Sequence, residues 1–344
     1  MPVLRAALVT PLSGPLALYG RASAAALCLW AKQAAQLPAG YTGVTLDVYD
    51  SEADALQAML SNYPDVVFGP YGSGPMLRVA RSCTRLIWNH GGANSRLAQF
   101  PHVINVLSPA SMYFASGLRA LHTMYPALRT VSLFHSTTGF GRDVAAGAQE
   151  EAQRLQMSVQ SVAFPSGQAS ARIGLIPPAE CLLVVGNFAD EQAIISQVRE
   201  RAWRFVGCVG AGVEEVLTPE QREGLLGPAQ WVARTALEPD EGPDARWFVT
   251  RYRQEVGSDP PYAAAQAFAA GIVYARCLRE TGNPDEKLIQ AAAQRLTCRT
   301  LFGAFRLEQG KQVGHQIVLV QWQQGQRRVV WPLEQAERPL YSFR

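Results

Sequence analysis

The 344-residue chain has no dense block of lysine or arginine: 31 basic and 28 acidic side chains leave a net charge of +3, spread along the sequence. Neutralising a phosphate backbone takes clustered positive charge, so nucleic acid is not an expected partner. No run of 18 apolar residues occurs, so no membrane-spanning helix is expected. The six cysteines (Cys28, Cys83, Cys181, Cys208, Cys277 and Cys298) lie far apart, with no C-x-x-C and no cysteine–histidine cluster. Zinc-ligand spacing is therefore absent, and free thiols are expected rather than a disulfide framework. Cys28, Cys181 and Cys208 stand in apolar surroundings and read as small core residues. P-loop, H-E-x-x-H and EF-hand patterns are missing too, so no metal and no cofactor is expected. The opening Met1-Pro2-Val3-Leu4-Arg5 lacks the charged, apolar and small-residue segments of a secretory leader. That start fits a cytoplasmic protein, or a periplasmic or extracellular one whose leader has been removed.

What is present is apolar and periodic. Apolar residues make up 48% and charged residues 17%, which suits well-packed α/β lobes, and the length suits two of them. Strands are predicted over Leu4–Val9, Val44–Tyr49, Val66–Phe68 and Leu86–Trp88, alternating with helices over Arg21–Ala35, Ala53–Leu60 and Met76–Thr84. Such a rhythm argues a parallel sheet covered on both faces. After a strand at His102–Val106 and a helix ending at Tyr125, a second series opens at Thr130–His135. It continues with a helix over Val144–Leu155, strands over Ser158–Phe164 and Leu182–Val185, a helix over Glu191–Ala202, and strands over Phe205–Val209 and Gln230–Arg234. Long helices follow at Arg246–Glu255, Tyr262–Glu280 and Asp285–Leu296. The chain closes with strands at Ala304–Leu307, Gln316–Gln321 and Arg327–Trp331, turned at Gly310 and Gly325.

The chemistry concentrates at the ends of strands. Val66-Val67-Phe68 stops abruptly in Gly69-Pro70-Tyr71-Gly72-Ser73-Gly74-Pro75 before a helix. This puts backbone N–H groups and a small hydroxyl at the carboxyl edge of a sheet, where an anionic group can be held without a cationic side chain. The first strand exit, Thr10 to Gly20, is an obligatory loop with Tyr19 on its rim. The exit at Asn89-His90-Gly91-Gly92-Ala93-Asn94-Ser95 lets a ligand approach the backbone, and Asn94 and Ser95 offer side-chain hydrogen bonds. His-Gly-Gly resembles the oxyanion loop of some α/β-hydrolases. That reading needs a G-x-S-x-G elbow, which the surroundings of Ser73 do not supply. Gly139-Phe140-Gly141-Arg142-Asp143-Val144 is an incomplete dinucleotide fingerprint without its third glycine. Asn187 and Phe188 follow another strand exit and are cleft candidates, while Asp190 is a candidate cap of the next helix, and the two readings weigh equally.

Taken in order, these residues resemble the type I periplasmic solute-binding family, in its branched-chain amino-acid and amide-binding, leucine-binding-like branch. The resemblance spans nearly the whole chain. It is carried by Leu12-Ser13-Gly14 with Tyr19-Gly20, Gly69-Pro70-Tyr71-Gly72-Ser73, Gly91-Gly92-Ala93-Asn94-Ser95, Gly139-Phe140-Gly141-Arg142-Asp143, Tyr262 with its alanine-rich helix, and Phe302-Gly303-Ala304-Phe305. It implies two doubly wound three-layer α/β lobes with parallel-rich sheets, joined by three crossovers that act as a hinge. Lobe one would hold residues 1–109 and 240–315, and lobe two 110–239 and 316–344. It further implies a ligand carboxylate held by Ser73 and the backbone of Gly92 to Asn94, with Tyr19, Tyr71 and Ser95 nearby. Phe140, Asn187 and Phe188 would face the ligand from lobe two.

Two departures narrow the ligand. The family's threonine at the fourth exit is replaced, as Ala93 or Asn94. The carboxylate that pairs with a ligand ammonium falls near Ala211-Gly212-Val213, where none stands; Glu214 and Glu215 are adjacent but are expected to begin a helix. A buried ammonium without a partner is costly, which favours an amide, a small aromatic acid or another organic acid over an α-amino acid. The function so implied is capture of a small polar solute between closing lobes, without catalysis, by a monomer or weak dimer partnered with an ABC-transporter permease. A cytoplasmic sensor of the same fold is the alternative, and an α/β hydrolase using Ser73 a third.

Overall fold

The computed structural model describes residues 3–33, 37, 40–51, 55–198, 201–214 and 216–343. Contacts divide the chain into two units, Met1–Ser108 with Ala233–Gln316 and Pro109–Val232 with Ile317–Arg344, so it passes from one to the other three times.

The first unit starts with β1 (Leu4–Thr10), α1 (Ala17–Ala31), β2 (Val44–Asp50), α2 (Ala55–Ser61), β3 (Val66–Phe68), α3 (Ser73–Ser82), β4 (Ile87–Asn89) and β5 (Val103–Asn105). The strands form one parallel sheet in the order β2-β1-β3-β4-β5. Alternation along each strand sends side chains to opposite faces. Ala7, Val9, Val67 and Ile87 pack with Met59 of α2 and Met76 and Val79 of α3. Phe68 and Trp88 point the other way, their rings edge-on to Tyr274 at 6.1 and 5.7 Å, and Phe68 meets Trp30 of α1 at 5.4 Å.

The second unit holds α4 (Met112–Met124), β6 (Thr130–Ser136), α5 (Gly139–Arg154), β7 (Ser158–Phe164), β8 (Cys181–Val185), α6 (Phe188–Val198), β9 (Phe205–Cys208), α7 (Pro219–Arg222) and β10 (Leu226–Ala229). The chain then returns to the first unit as α8 (Ala245–Val256), α9 (Tyr262–Thr281), α10 (Glu286–Arg295) and the short strands β11 (Cys298–Thr300), β12 (Gly303–Phe305), β13 (Leu307–Glu308) and β14 (Lys311–Gln312). Helix α9 is apolar nearly all round and supplies Tyr274; α8 is capped by Asp244, which accepts from the Trp247 N–H at 2.7 Å, and closed by Gly257 at φ 80°. Finally β15 (Val318–Gln323) joins the second sheet antiparallel to β10, and β16 (Gln326–Trp331) pairs antiparallel to β15, giving β16-β15-β10-β9-β8-β6-β7.

The parallel parts of the two sheets are wound alike. Numbered within each unit, both run 2-1-3-4-5, so the first and third strands lie side by side while their connections depart to opposite faces. Ligands of such sheets bind outside the carboxyl ends of the strands at that switch point.

Several expectations need correction. The strand expected over Gln230–Arg234 lies at Leu226–Ala229, through a Gly-Pro pair that reads as a turn. The Trp322 N–H bonds to the Leu225 carbonyl, so Leu225, Gly227 and Ala229 face β15 and Pro228 turns its nitrogen to the other side. There β9 pairs only at Leu226 with Gly207, and proline's missing donor breaks no ladder. Helices α1, α3, α5 and α6 start at Ala17, Ser73, Gly139 and Phe188, not at Arg21, Met76, Val144 and Glu191. Thr138 caps α5 by accepting from the Gly141 N–H at 3.0 Å, and Pro75 is tolerated in the first turn of α3 because no N–H there has a helical partner. Cys28 is exposed on the outer face of α1, while the other five cysteines are buried; all six are free thiols. Glu214 lies in a bend rather than a helix. The expected helical residues Ala53, Ala35 and Glu215 lie outside the described residues.

Candidate functional site

In the first unit the exits of β1, β3 and β4 converge. Asp50 at the end of β2 accepts from the Leu12 N–H at 3.1 Å and the Ser13 hydroxyl at 2.9 Å, fixing the loop that leads to Tyr19. Tyr19 stacks on Tyr71, with ring centroids 4.9 Å apart and planes at 23°. Tyr262, the first residue of α9, closes the group at 5.7 Å from Tyr19 and 6.3 Å from Tyr71, and the hydroxyls of Tyr71 and Tyr262 are hydrogen-bonded. These rings form an aromatic wall beside the strand ends.

The β3 and β4 exits are tied by backbone bonds from Gly69 N–H to the Trp88 carbonyl (3.1 Å) and from Gly72 N–H to the Gly91 carbonyl (3.0 Å). A Cβ at Gly91 would stand 2.5 Å from the Tyr71 Cα, so only glycine allows this approach. The buried Asn89 holds the next turn: its Oδ1 accepts from Gly91 and Gly92 at 3.2 and 2.8 Å, and its Nδ2 donates to the Gly92 carbonyl and to Asn105 Oδ1, both at 2.7 Å. Ser73 Oγ accepts from the Ala93 N–H at 3.2 Å. As the first residue of α3, Ser73 sits where helical N–H groups lack helical partners and the dipole favours negative charge. Asn94 Oδ1 accepts from the Arg96 N–H at 3.0 Å, capping the single turn Ser95–Gln99. The structure thus brings Tyr19 with Tyr71, and Ser73 with Ala93; the Gly92 N–H is engaged by Asn89.

In the second unit Phe140 and Phe188 stand half-buried in the first turns of α5 and α6, at the exits of β6 and β8. Phe140 meets Tyr113 edge-on, with centroids 5.7 Å apart at 79°. The Tyr113 hydroxyl accepts from Gln230 Nε2 at 3.0 Å, and burial pushes it up to about 12. Asn187 caps α6: its Oδ1 accepts from the Asp190 N–H at 2.8 Å, while its Nδ2 donates to Asp190 and Ser166, each at 2.8 Å. Asp190 accepts from the Gly167 N–H at 3.0 Å, so it ties the loop after β7 while Asn187 caps the helix. Glu191 is fully buried behind it, bonded to Gly186 and Gly210.

The strand exits of the first unit offer backbone donors, a hydroxyl and aromatic rings, and Ser73 is the candidate nucleophile among them. A serine nucleophile needs a base within hydrogen-bond reach. Among the described residues Ser73 Oγ is bonded to the Ala93 N–H alone. His90 is fully buried, and that burial pushes its imidazole down to about 4, leaving it neutral. Among the described residues, no three histidine, cysteine, aspartate or glutamate side chains gather to hold a metal, and no helix is long and apolar enough to cross a membrane. Tyr262, Asn89, Tyr113, Gln230 and Glu191 were not among the residues singled out from sequence as the site. The first lies after a Pro-Pro pair and opens a buried helix, a signal that pattern could have caught; the others depend on burial that local sequence does not encode.

Two doubly wound units with ligand-type strand exits define the type I periplasmic binding protein fold. A sequence model of the periplasmic binding protein family matches residues 3–327, and the chain belongs to that family. Solved structures similar to it include a leucine binding protein from Thermotoga maritima (17% identity, 95% of this chain and 97% of that one, TM-score 0.77). A branched chain amino acid ABC transporter periplasmic ligand-binding protein from Burkholderia xenovorans is also similar (17%, 98% and 99%, TM-score 0.80). So is an ABC transporter solute binding protein from R. palustris in complex with benzoate (15%, 96% and 96%, TM-score 0.73).

Proposed function

We propose that this protein is the solute-binding component of an ABC transporter, acting outside the cytoplasmic membrane, and that it captures a small organic acid or amide with an apolar or aromatic body. The observation that carries the reading is the switch point of the first unit. The Ser73 hydroxyl, at the N-terminus of α3 and linked to the Ala93 N–H, stands at the same sheet edge as the Tyr19–Tyr71–Tyr262 wall. A hydroxyl and helical N–H groups suit a carboxylate or amide oxygen, and stacked rings suit a flat or branched apolar body. Phe140 and Phe188, at the β6 and β8 exits, are the aromatic residues that the second unit offers a ligand in this proposal.

The same reading sets α-amino acids behind ligands that lack an ammonium group. Glu214 is ion-paired with Arg327 at 3.2 Å, and Glu191 is consumed by backbone donors, so neither is offered to a ligand cation. The similar structures, one a leucine binding protein and one a solute binding protein in complex with benzoate, bracket the two classes: a branched amino acid and an aromatic acid. Thermal-shift measurements with leucine, leucinamide, benzoate and benzamide test the proposal, because a ligand bound only by the folded state raises its midpoint. A rise with benzoate or benzamide that exceeds the rise with leucine is expected. A rise with leucine alone contradicts the ligand class.

A further inference from the structure

Glu191 is a buried carboxyl group without a cation. One oxygen accepts from the Gly186 N–H at 3.1 Å, at the exit of β8, and the other from the Gly210 N–H at 2.5 Å, at the exit of β9. The neighbouring Val209 N–H and Cys208 thiol also favour its ionised form. A Cβ at Gly210 would stand 2.8 Å from the Glu191 oxygen, so glycine is what lets the carboxyl group reach this backbone. These contacts are all donors, the surroundings that strand exits of a doubly wound sheet present to a bound anion.

We propose that Glu191 is a resident stand-in for a ligand carboxyl group: it fills the donor-lined cradle between the β8 and β9 exits of the second unit and is the positioning residue for the loops that leave those strands. One of those loops carries Asn187 and Phe188, the other Ala211 and Gly212. The neighbouring charges are spent elsewhere. Asp190 is turned to Gly167, Arg222 of α7 lies 3.8 Å over the Trp322 ring, and Arg172 and Glu220 are exposed. Cys208 is the titratable group in contact, and burial together with the Glu191 charge holds its thiol well above the ordinary range. Burial pushes the Glu191 carboxyl up to about 8, against the donors that favour its ionised form. A consequence that rests on the proposed function is that the acidic end of a ligand is left to the first unit.

The test needs no ligand, so its failure bears on Glu191 and not on the solute-binding reading. Glu191→Ala empties the cradle, and its melting temperature should fall by several degrees. Sodium formate at alkaline pH should restore part of that loss, while equal sodium chloride should not, and the wild type should not respond to formate. An undiminished melting temperature, or an equal formate effect on both proteins, overturns the proposal. Should Glu191→Ala fail to fold, Glu191→Gln gives the answer through its pH profile. A carboxyl whose folded value is raised stabilises fully below its unfolded value, and that contribution is lost as pH rises through the folded one. The wild type should therefore lose melting temperature relative to Glu191→Gln between about pH 5 and pH 8. Parallel profiles overturn the proposal.

Discussion

The two units solve the same topological problem with opposite chemistry. In each, the third and fourth strands end side by side and a helix begins at the third exit. In the first unit the exits of β3 and β4 are bridged by a hydroxyl, Ser73 Oγ to the Ala93 N–H, in a half-buried setting. In the second unit the exits of β8 and β9 are bridged by the carboxyl group of Glu191, fully buried. A hydroxyl that accepts one bond still has a proton to donate; a carboxyl group surrounded by donors has used what the exit offers. The shared winding therefore makes two sites of the same origin, one suited to a ligand's oxygen and one filled from within.

Substitutions can break this comparison at graded cost. Gly91→Val should have the largest effect, because a side chain there meets the Tyr71 backbone at 2.5 Å; we expect a loss of about 3 kcal/mol or more in urea unfolding. A wild-type midpoint would show that the β3 and β4 exits are not locked together. Ser73→Ala should weaken a carboxylate ligand by about 1.5–3 kcal/mol, the range for a hydrogen bond to a charged group. Asn187→Ala should act on stability, by about 1 kcal/mol through the lost α6 cap, with ligand affinity nearly unchanged. A large affinity loss there, at preserved stability, would assign Asn187 to the ligand and blur the contrast between the units.

Most strands and their exits were legible because buried strands such as Val66-Val67-Phe68 end in Gly and Pro, and such punctuation is local. Helix starts were less so. The expected starts followed the first apolar-periodic residues, whereas the caps Thr138 and Asn187 begin α5 and α6 at the exits themselves. That shift matters for function, since it moves Ser73, Phe140 and Phe188 from loops onto helix N-termini. The strand at Leu226–Ala229 was hidden because proline's tolerance there depends on which side of the strand is paired, a tertiary fact. Glu191 was hidden for a similar reason: its spacing within α6 resembles a first-turn acid facing solvent, and only the fold places Gly210 above it.

In the proposed function the first unit's switch point grips the oxygen end of the ligand. Isothermal titration of wild type and Ser73→Ala with benzoate, and with benzamide as its uncharged counterpart, tests it most directly. Benzoate affinity should fall roughly 10- to 150-fold in Ser73→Ala, and benzamide affinity should fall less. Unchanged benzoate affinity in a folded Ser73→Ala protein would contradict it.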